Sequence, residues 1–127
     1  CGPGECAVDC SGTACDGEIN CLDSQCSVSC GGTSCGGEIN CGTGACDVQC
    51  VGDSCDTPIN CGTGPCSVEC VGSACHGGVD CSGACACDVS CQGNSCTSMT
   101  ENICMPDCYT PDGGCSSAPA GCNVCSE

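Results

Sequence analysis

Cysteine returns at the same four places every 20 residues. Positions 1, 6, 10 and 15 are followed by 21, 26, 30 and 35, then 41, 46, 50 and 55, then 61, 66, 70 and 75. A fifth unit reads Cys81, Cys87, Cys91 and Cys96, with one extra residue and an extra Cys85. Other columns keep the same period. Val8, Val28, Val48, Val68 and Val89 share one place, and Ile19, Ile39, Ile59 and Val79 share another. Gly12, Gly32, Gly52, Gly72 and Gly93 form a third column, and Asn20, Asn40, Asn60 and Asp80 a fourth. A fixed period of this length, repeated without insertion, is the mark of a stacked repeat architecture.

Each unit contains two short segments with period-2 patterning, Cys6-x-Val8-x-Cys10 and Ile19-x-Cys21. β-branched residues at period 2 signal strands. Gly12 follows the first segment and Gly17 precedes the second, which marks turns. Segments this short do not stand as isolated hairpins. Stacked in register about 4.8 Å apart, they form parallel sheets. The expected fold is therefore all-β: a disulfide-stapled parallel β-solenoid of five coils over residues 1–96. A helix is excluded by the frequent glycine and by the period-2 placement of β-branched residues.

Alternation assigns the faces. Cys6, Val8 and Cys10 point one way, and valine at every unit makes that way inward. Val8, Val28, Val48, Val68 and Val89 thus face Ile19, Ile39, Ile59 and Val79 across a thin coil. The chain reverses between Cys1 and Cys6 and again between Cys10 and Cys15. Pairing within a coil, Cys1–Cys6 and Cys10–Cys15 repeated upward, is favoured. Vertical pairing between coils is the rival that sequence leaves open. The framework comprises Cys1, Cys6, Cys10, Cys15, Cys21, Cys26, Cys30, Cys35, Cys41, Cys46, Cys50, Cys55, Cys61, Cys66, Cys70, Cys75, Cys81, Cys87, Cys91 and Cys96. The column Asn20, Asn40, Asn60 reads as a ladder of side-chain amides bonded along the solenoid axis.

Composition explains why staples are needed. The chain of 127 residues has 26 cysteines and 21 glycines, with no Trp or Phe and a single Tyr. A core of large side chains is not available, and the reduced chain should be unfolded. An even cysteine count permits full pairing, and cytosolic reductants would open it. The expected location is extracellular or at the cell surface. Residues 97–127 leave the repeat, with irregular cysteines and Pro106, Pro111 and Pro119. They read as a cap over the last coil, whose open strand edge would otherwise aggregate. The first coil carries no comparable cap, so another molecule or a preceding domain is expected to cover it. Cys1 invites a lipid-anchor reading, but it falls in register with the repeat. No signal peptide or apolar run of membrane-spanning length stands in the sequence.

Charge excludes several partners. With 16 acidic residues and no Lys or Arg, the net charge is −16. Nucleic acid and anionic membranes both require basic side chains. Glu18 and Glu38 stack, and Ca²⁺ could bridge them, although no Asp-rich calcium repeat exists; a solvated acidic face is the plainer reading. No other cofactor and no small-molecule substrate is expected. His76 has no nucleophile at a recognisable spacing and reads as a turn residue. No phosphate loop or cofactor fingerprint is present, so an enzyme is not expected.

The wording C-x-V-x-C-x-G-x-[SA]-C, as in Cys26-Ser-Val-Ser-Cys-Gly-Gly-Thr-Ser-Cys35, resembles cysteine-rich repeats of secreted proteins and lipoproteins of myxobacteria and related bacteria. Cys85-Ala-Cys-Asp-Val-Ser-Cys91 and Ala118-Pro-Ala-Gly-Cys-Asn-Val-Cys125 look like the closing part of such proteins. The resemblance implies an exported surface protein and brings no activity with it. A looser similarity of scaffold exists to insect antifreeze solenoids.

The leading functional expectation is an extracellular structural protein: a rigid rod on the cell surface, in a matrix, or as a subunit of a filament built head-to-tail from copies of itself. The alternative is an ice-binding or ligand-binding solenoid face. Against ice binding, the outward places Ala7/Asp9, Ser27/Ser29, Asp47/Gln49, Ser67/Glu69 and Asp88/Ser90 are charged and irregular. The column Thr13, Thr33, Asp53, Ser73, Asn94 is no better. A third reading, a metal-thiolate protein, expects repeated Cys-x-Cys or Cys-x-x-Cys pairs. Only Cys85-Ala-Cys87 and Cys122-Asn-Val-Cys125 fit.

Overall fold

The computed structural model describes residues 4–80 and 86–95. Among these residues every regular element is a strand. They run β1 (Glu5–Cys10), β2 (Ile19–Asn20), β3 (Gln25–Gly32), β4 (Ile39–Asn40), β5 (Cys46–Gly52), β6 (Ile59–Asn60), β7 (Pro65–Gly72), β8 (Val79–Asp80) and β9 (Ala86–Gly93). Odd strands form one parallel sheet in the order β1-β3-β5-β7-β9, and even strands form a second, β2-β4-β6-β8. The chain alternates between the sheets, so it is a β-solenoid. Four coils are complete, and β9 is the first strand of a fifth. Cys1, Cys81, Cys96, the side chain of Cys87 and the expected cap over 97–127 lie outside the described residues.

Register follows the sequence repeat. Val8 lies beside Val28, Val28 beside Val48, Val48 beside Val68 and Val68 beside Val89. Ile19, Ile39, Ile59 and Val79 pair in the other sheet. The single inserted residue before β9 is absorbed ahead of the strand, so register is restored at Pro65↔Ala86 and onward.

Two boundaries differ from the sequence expectation. From β3 onward the long strands run to the column glycine instead of stopping at cysteine. Gly32 pairs with Gly52, and Gly52 with Gly72, at positive φ of 76°, 86° and 89°. The corner residues stack as well as the strands, so coil-to-coil hydrogen bonds continue round the bend. Thr33 N–H donates to Gly12 O at 2.9 Å, and Cys35 N–H to Ala14 O at 3.0 Å. The short strands, conversely, end at Asn20, Asn40, Asn60 and Asp80, one residue before the expected cysteine.

The core is a narrow file. Val28, Val48, Val68 and Val89 are buried, as are Ile19, Ile39, Ile59 and Val79. Val8, on the outermost strand of its sheet, is half-buried and packs against this file. Cysteines supply the rest of the interior, because little else is large and apolar in this chain.

Candidate functional site

Two columns of disulfides close the two ends of each coil. Cys10–Cys15, Cys30–Cys35, Cys50–Cys55 and Cys70–Cys75 hold one corner. Cys21–Cys26, Cys41–Cys46 and Cys61–Cys66 hold the other, each joining the first two cysteines of one unit, the within-coil pairing that sequence favoured. Each bridge spans five residues, with Cα atoms 5.7–6.2 Å apart. That is the ordinary range for an unstretched bridge. Cys6 and Cys91 are disulfide-bonded too.

Sulfurs of neighbouring coils also approach one another. Cys21, Cys26 and Cys46 have their Sγ atoms within 4.8 Å, and so do Cys30, Cys50 and Cys55, and Cys41, Cys46 and Cys66. These buried groups have the spacing of metal ligands, but every member is closed as a disulfide. A disulfide sulfur is not the thiolate that binds a soft metal. The thiolate-cluster reading is not supported at these positions.

The corner cysteines carry an unusual backbone. Cys15, Cys35, Cys55 and Cys75 all sit at φ of 59–61°, the left-handed region. A β-carbon makes that region costly by roughly 1–2 kcal/mol. The bridge and the coil-to-coil bonds hold it in place: Cys55 N–H donates to Ser34 O at 3.3 Å and Cys75 N–H to Ser54 O at 3.0 Å.

A buried serine column stiffens the same corner, and sequence reading recorded it only as the [SA] of the repeat. Ser34 Oγ donates to Cys10 O at 3.1 Å, Ser54 Oγ to Cys30 O at 3.3 Å and Ser95 Oγ to Cys70 O at 3.0 Å. Ser54 and Ser95 also reach Val51 O and Gln92 O within their own coil. The signal was legible: a polar residue alternating with alanine beside cysteine is small and buried. Ala14 and Ala74 hold this place in the other coils.

The asparagine column forms a ladder along the axis. Asn60 Nδ2 donates to Asn40 Oδ1 at 2.6 Å, and Asn40 Nδ2 donates to Asn20 Oδ1 at 3.2 Å. Asn40 also donates to Glu18 Oε1 at 2.7 Å. Glu18, read from sequence as part of a solvated acidic face with Ca²⁺ bridging to Glu38 as the other reading, accepts from an amide one coil away. A shorter column was missed: Thr43 Oγ1 donates to Asp23 Oδ1 at 2.9 Å.

The outer face of the long sheet is polar and uneven. Ser27, Ser29, Asp47, Gln49 and Glu69 line a shallow open depression, with Val28 at its floor. Gln49 Nε2 donates to Glu69 Oε2 at 3.3 Å across two coils. Exposed large apolar residues are limited to Leu22 and Val51 among the described residues, in separate columns. No continuous apolar patch or threonine ladder forms on these faces. No helix of the described residues is long and apolar enough to cross a membrane.

His76 does not stand alone. A nitrogen of its imidazole and carboxylate oxygens of Asp53 and Asp56 lie within 4.8 Å of one another at the disulfide-closed corner of the third and fourth coils. Sequence reading placed His76 in a turn, and the structure adds two acidic neighbours. Comparison with family models, with curated proteins and with solved structures finds no match to this chain.

Proposed function

We propose that this chain is an extracellular structural element, a stapled rod whose task is to hold shape and distance rather than to transform a substrate. The observation that carries the reading is the pair of disulfides in each of the second, third and fourth coils, locked onto an unbroken in-register stack. Such a scaffold has few low-energy ways to bend or open, and its interior is filled by sulfur, valine and isoleucine. A disulfide-dense fold of this kind requires an oxidising environment.

The rod has a built-in means of extension. β1 and β9 end the long sheet, and β2 and β8 end the short one, among the described residues. Among the described residues all pairings are parallel, and the first four units have the same length of 20 residues. The uncovered edge of the first coil can therefore receive a second molecule, whose segment over 97–127 supplies the contact instead of covering its own last coil. A contact of this head-to-tail type does not close on itself and builds a filament. The charge of −16 opposes close approach at low salt. Screening or divalent cations offset that repulsion.

Electron microscopy of the purified oxidised protein, with light scattering across salt, Ca²⁺ and EDTA, tests assembly. Filaments that lengthen with salt or Ca²⁺ support the full reading. Monomeric rods under all conditions retain the stiff element and remove the filament. A compact particle by small-angle X-ray scattering, lacking the rod's elongation, overturns both.

A further inference from the structure

Three metal-ligating side chains of two different chemistries converge on one corner. Asp53, Asp56 and His76 each place a donor atom within 4.8 Å of the other two, and all three are exposed. Asp56 and His76 hold the same place in successive coils. The in-register stack sets one above the other. Asp53 reaches the pair from three residues back, across the bend that begins at Gly52.

The backbone under these side chains is fixed from several directions. Cys50–Cys55 and Cys70–Cys75 close the two stacked corners. Asp53 N–H donates to Gly32 O at 2.9 Å, Ser73 N–H to Gly52 O at 2.8 Å and Cys75 N–H to Ser54 O at 3.0 Å. Ser54 Oγ ties the bend to Val51 O at 3.0 Å. Little backbone entropy remains to be lost when the three side chains close on a ligand.

The set occurs once in the described coils. The place of Asp56 and His76 is taken by Asp16 and Gly36 in the first two coils, and that of Asp53 by Thr13, Thr33 and Ser73. The chain has no Lys or Arg to set against Asp53 and Asp56. Two carboxylates held this close repel unless a cation joins them. An imidazole nitrogen beside carboxylate oxygens suits a borderline divalent metal such as Zn²⁺, Co²⁺ or Ni²⁺. Ca²⁺ and Mg²⁺ take oxygen donors and have no use for the ring.

The geometry points to a surface binding site for one borderline divalent metal ion, held by His76, Asp53 and Asp56, with the remaining coordination positions left to water. The site is independent of whether the rod assembles.

His76 is the single histidine of the chain, so its ring is an unambiguous reporter. Zn²⁺ is titrated into the oxidised full chain, with the ring signals of His76 followed by NMR. Excess Mg²⁺ is kept present so that the general acidic field is already screened. One equivalent of Zn²⁺ should shift both ring carbons to saturation, and millimolar Ca²⁺ should not. Asp53→Asn and Asp56→Asn should each weaken binding by about tenfold or more, as loss of a ligand or its support does. Asp16→Asn, the counterpart of Asp56 in the first coil, should leave affinity unchanged. An unmoved ring overturns the proposal. So does a shift that survives both substitutions, which reports an imidazole acting alone, or one that Asp16→Asn weakens as much as Asp56→Asn.

Discussion

Asn60 donates its side-chain amide to Asn40 Oδ1 at 2.6 Å, and these two residues lie one full coil apart in the same column. Asn40 is donor and acceptor at once, since it passes its own amide hydrogens to Asn20 and Glu18. Asn40→Ala removes the middle rung and should cost roughly 1–2 kcal/mol, the range for lost side-chain hydrogen bonds at partly shielded sites. Asn40→Asp keeps the shape but removes the donor. It sets a carboxylate against Glu18 and should be worse than alanine near neutral pH. Thermal melting of the oxidised protein measures both. Equal stability of the two variants would show that the ladder carries no directional bonding.

Gly52 and Gly12 share a column but not a neighbourhood. Both have positive φ, 86° and 68°. A β-carbon on Gly52 would lie 3.0 Å from Gly32 O, whereas on Gly12 it meets nothing within 4 Å. Gly12→Ala should therefore cost only the backbone penalty, about 1 kcal/mol. Gly52→Ala adds a contact with the coil below, whose backbone is hydrogen-bonded and cannot yield. It should be destabilising by about 2 kcal/mol or more. Denaturant unfolding of the two variants side by side checks the difference. The order reversed would contradict this account of the corner.

Ser54 is buried and bonded, yet alanine occupies its place at Ala14 and Ala74. Ser54→Ala should be mild, about 1 kcal/mol, because a coil can be built without that hydroxyl. Ser54→Val must place two more carbons in a filled corner and should cost roughly 1–3 kcal/mol. Circular dichroism melts rank them. A neutral valine variant would mean that the corner is looser than its burial indicates.

Reduction should unfold the rod. Each bridge spans five residues and contributes roughly 2 kcal/mol by restricting the unfolded chain. The bridges also hold Cys15, Cys35, Cys55 and Cys75 in a backbone region they would otherwise leave. A phosphine reductant under mild denaturant should abolish the strand signal in far-ultraviolet circular dichroism. Removing one bridge as the Cys50→Ala/Cys55→Ala pair should lower the melting temperature without loss of the fold. A reduced chain that keeps its strand content would refute the dependence on staples.

The sequence alone determined the period, the parallel stacking and the inward columns. Alternation within a strand is a local property, and register between coils follows from a repeat without insertions. Val48 and Ile59 could be placed inside because nothing else at their positions varies in character. The disulfide partners were a different matter. The reversals of the chain favoured pairing within a coil, but stacking brings the Cys21, Cys26 and Cys46 sulfurs within 4.8 Å of one another, so sequence left pairing between coils open. Only the three-dimensional bend of the chain decided for Cys21–Cys26 and Cys41–Cys46. The length of the long strands was likewise hidden. Glycine at positive φ reads as the end of a strand, yet here neighbouring coils pair through it. The meeting of His76 with Asp53 and Asp56 depended on tertiary structure for the same reason. A column position fixes which residues stack, but the curvature of the corner fixes which side chains converge.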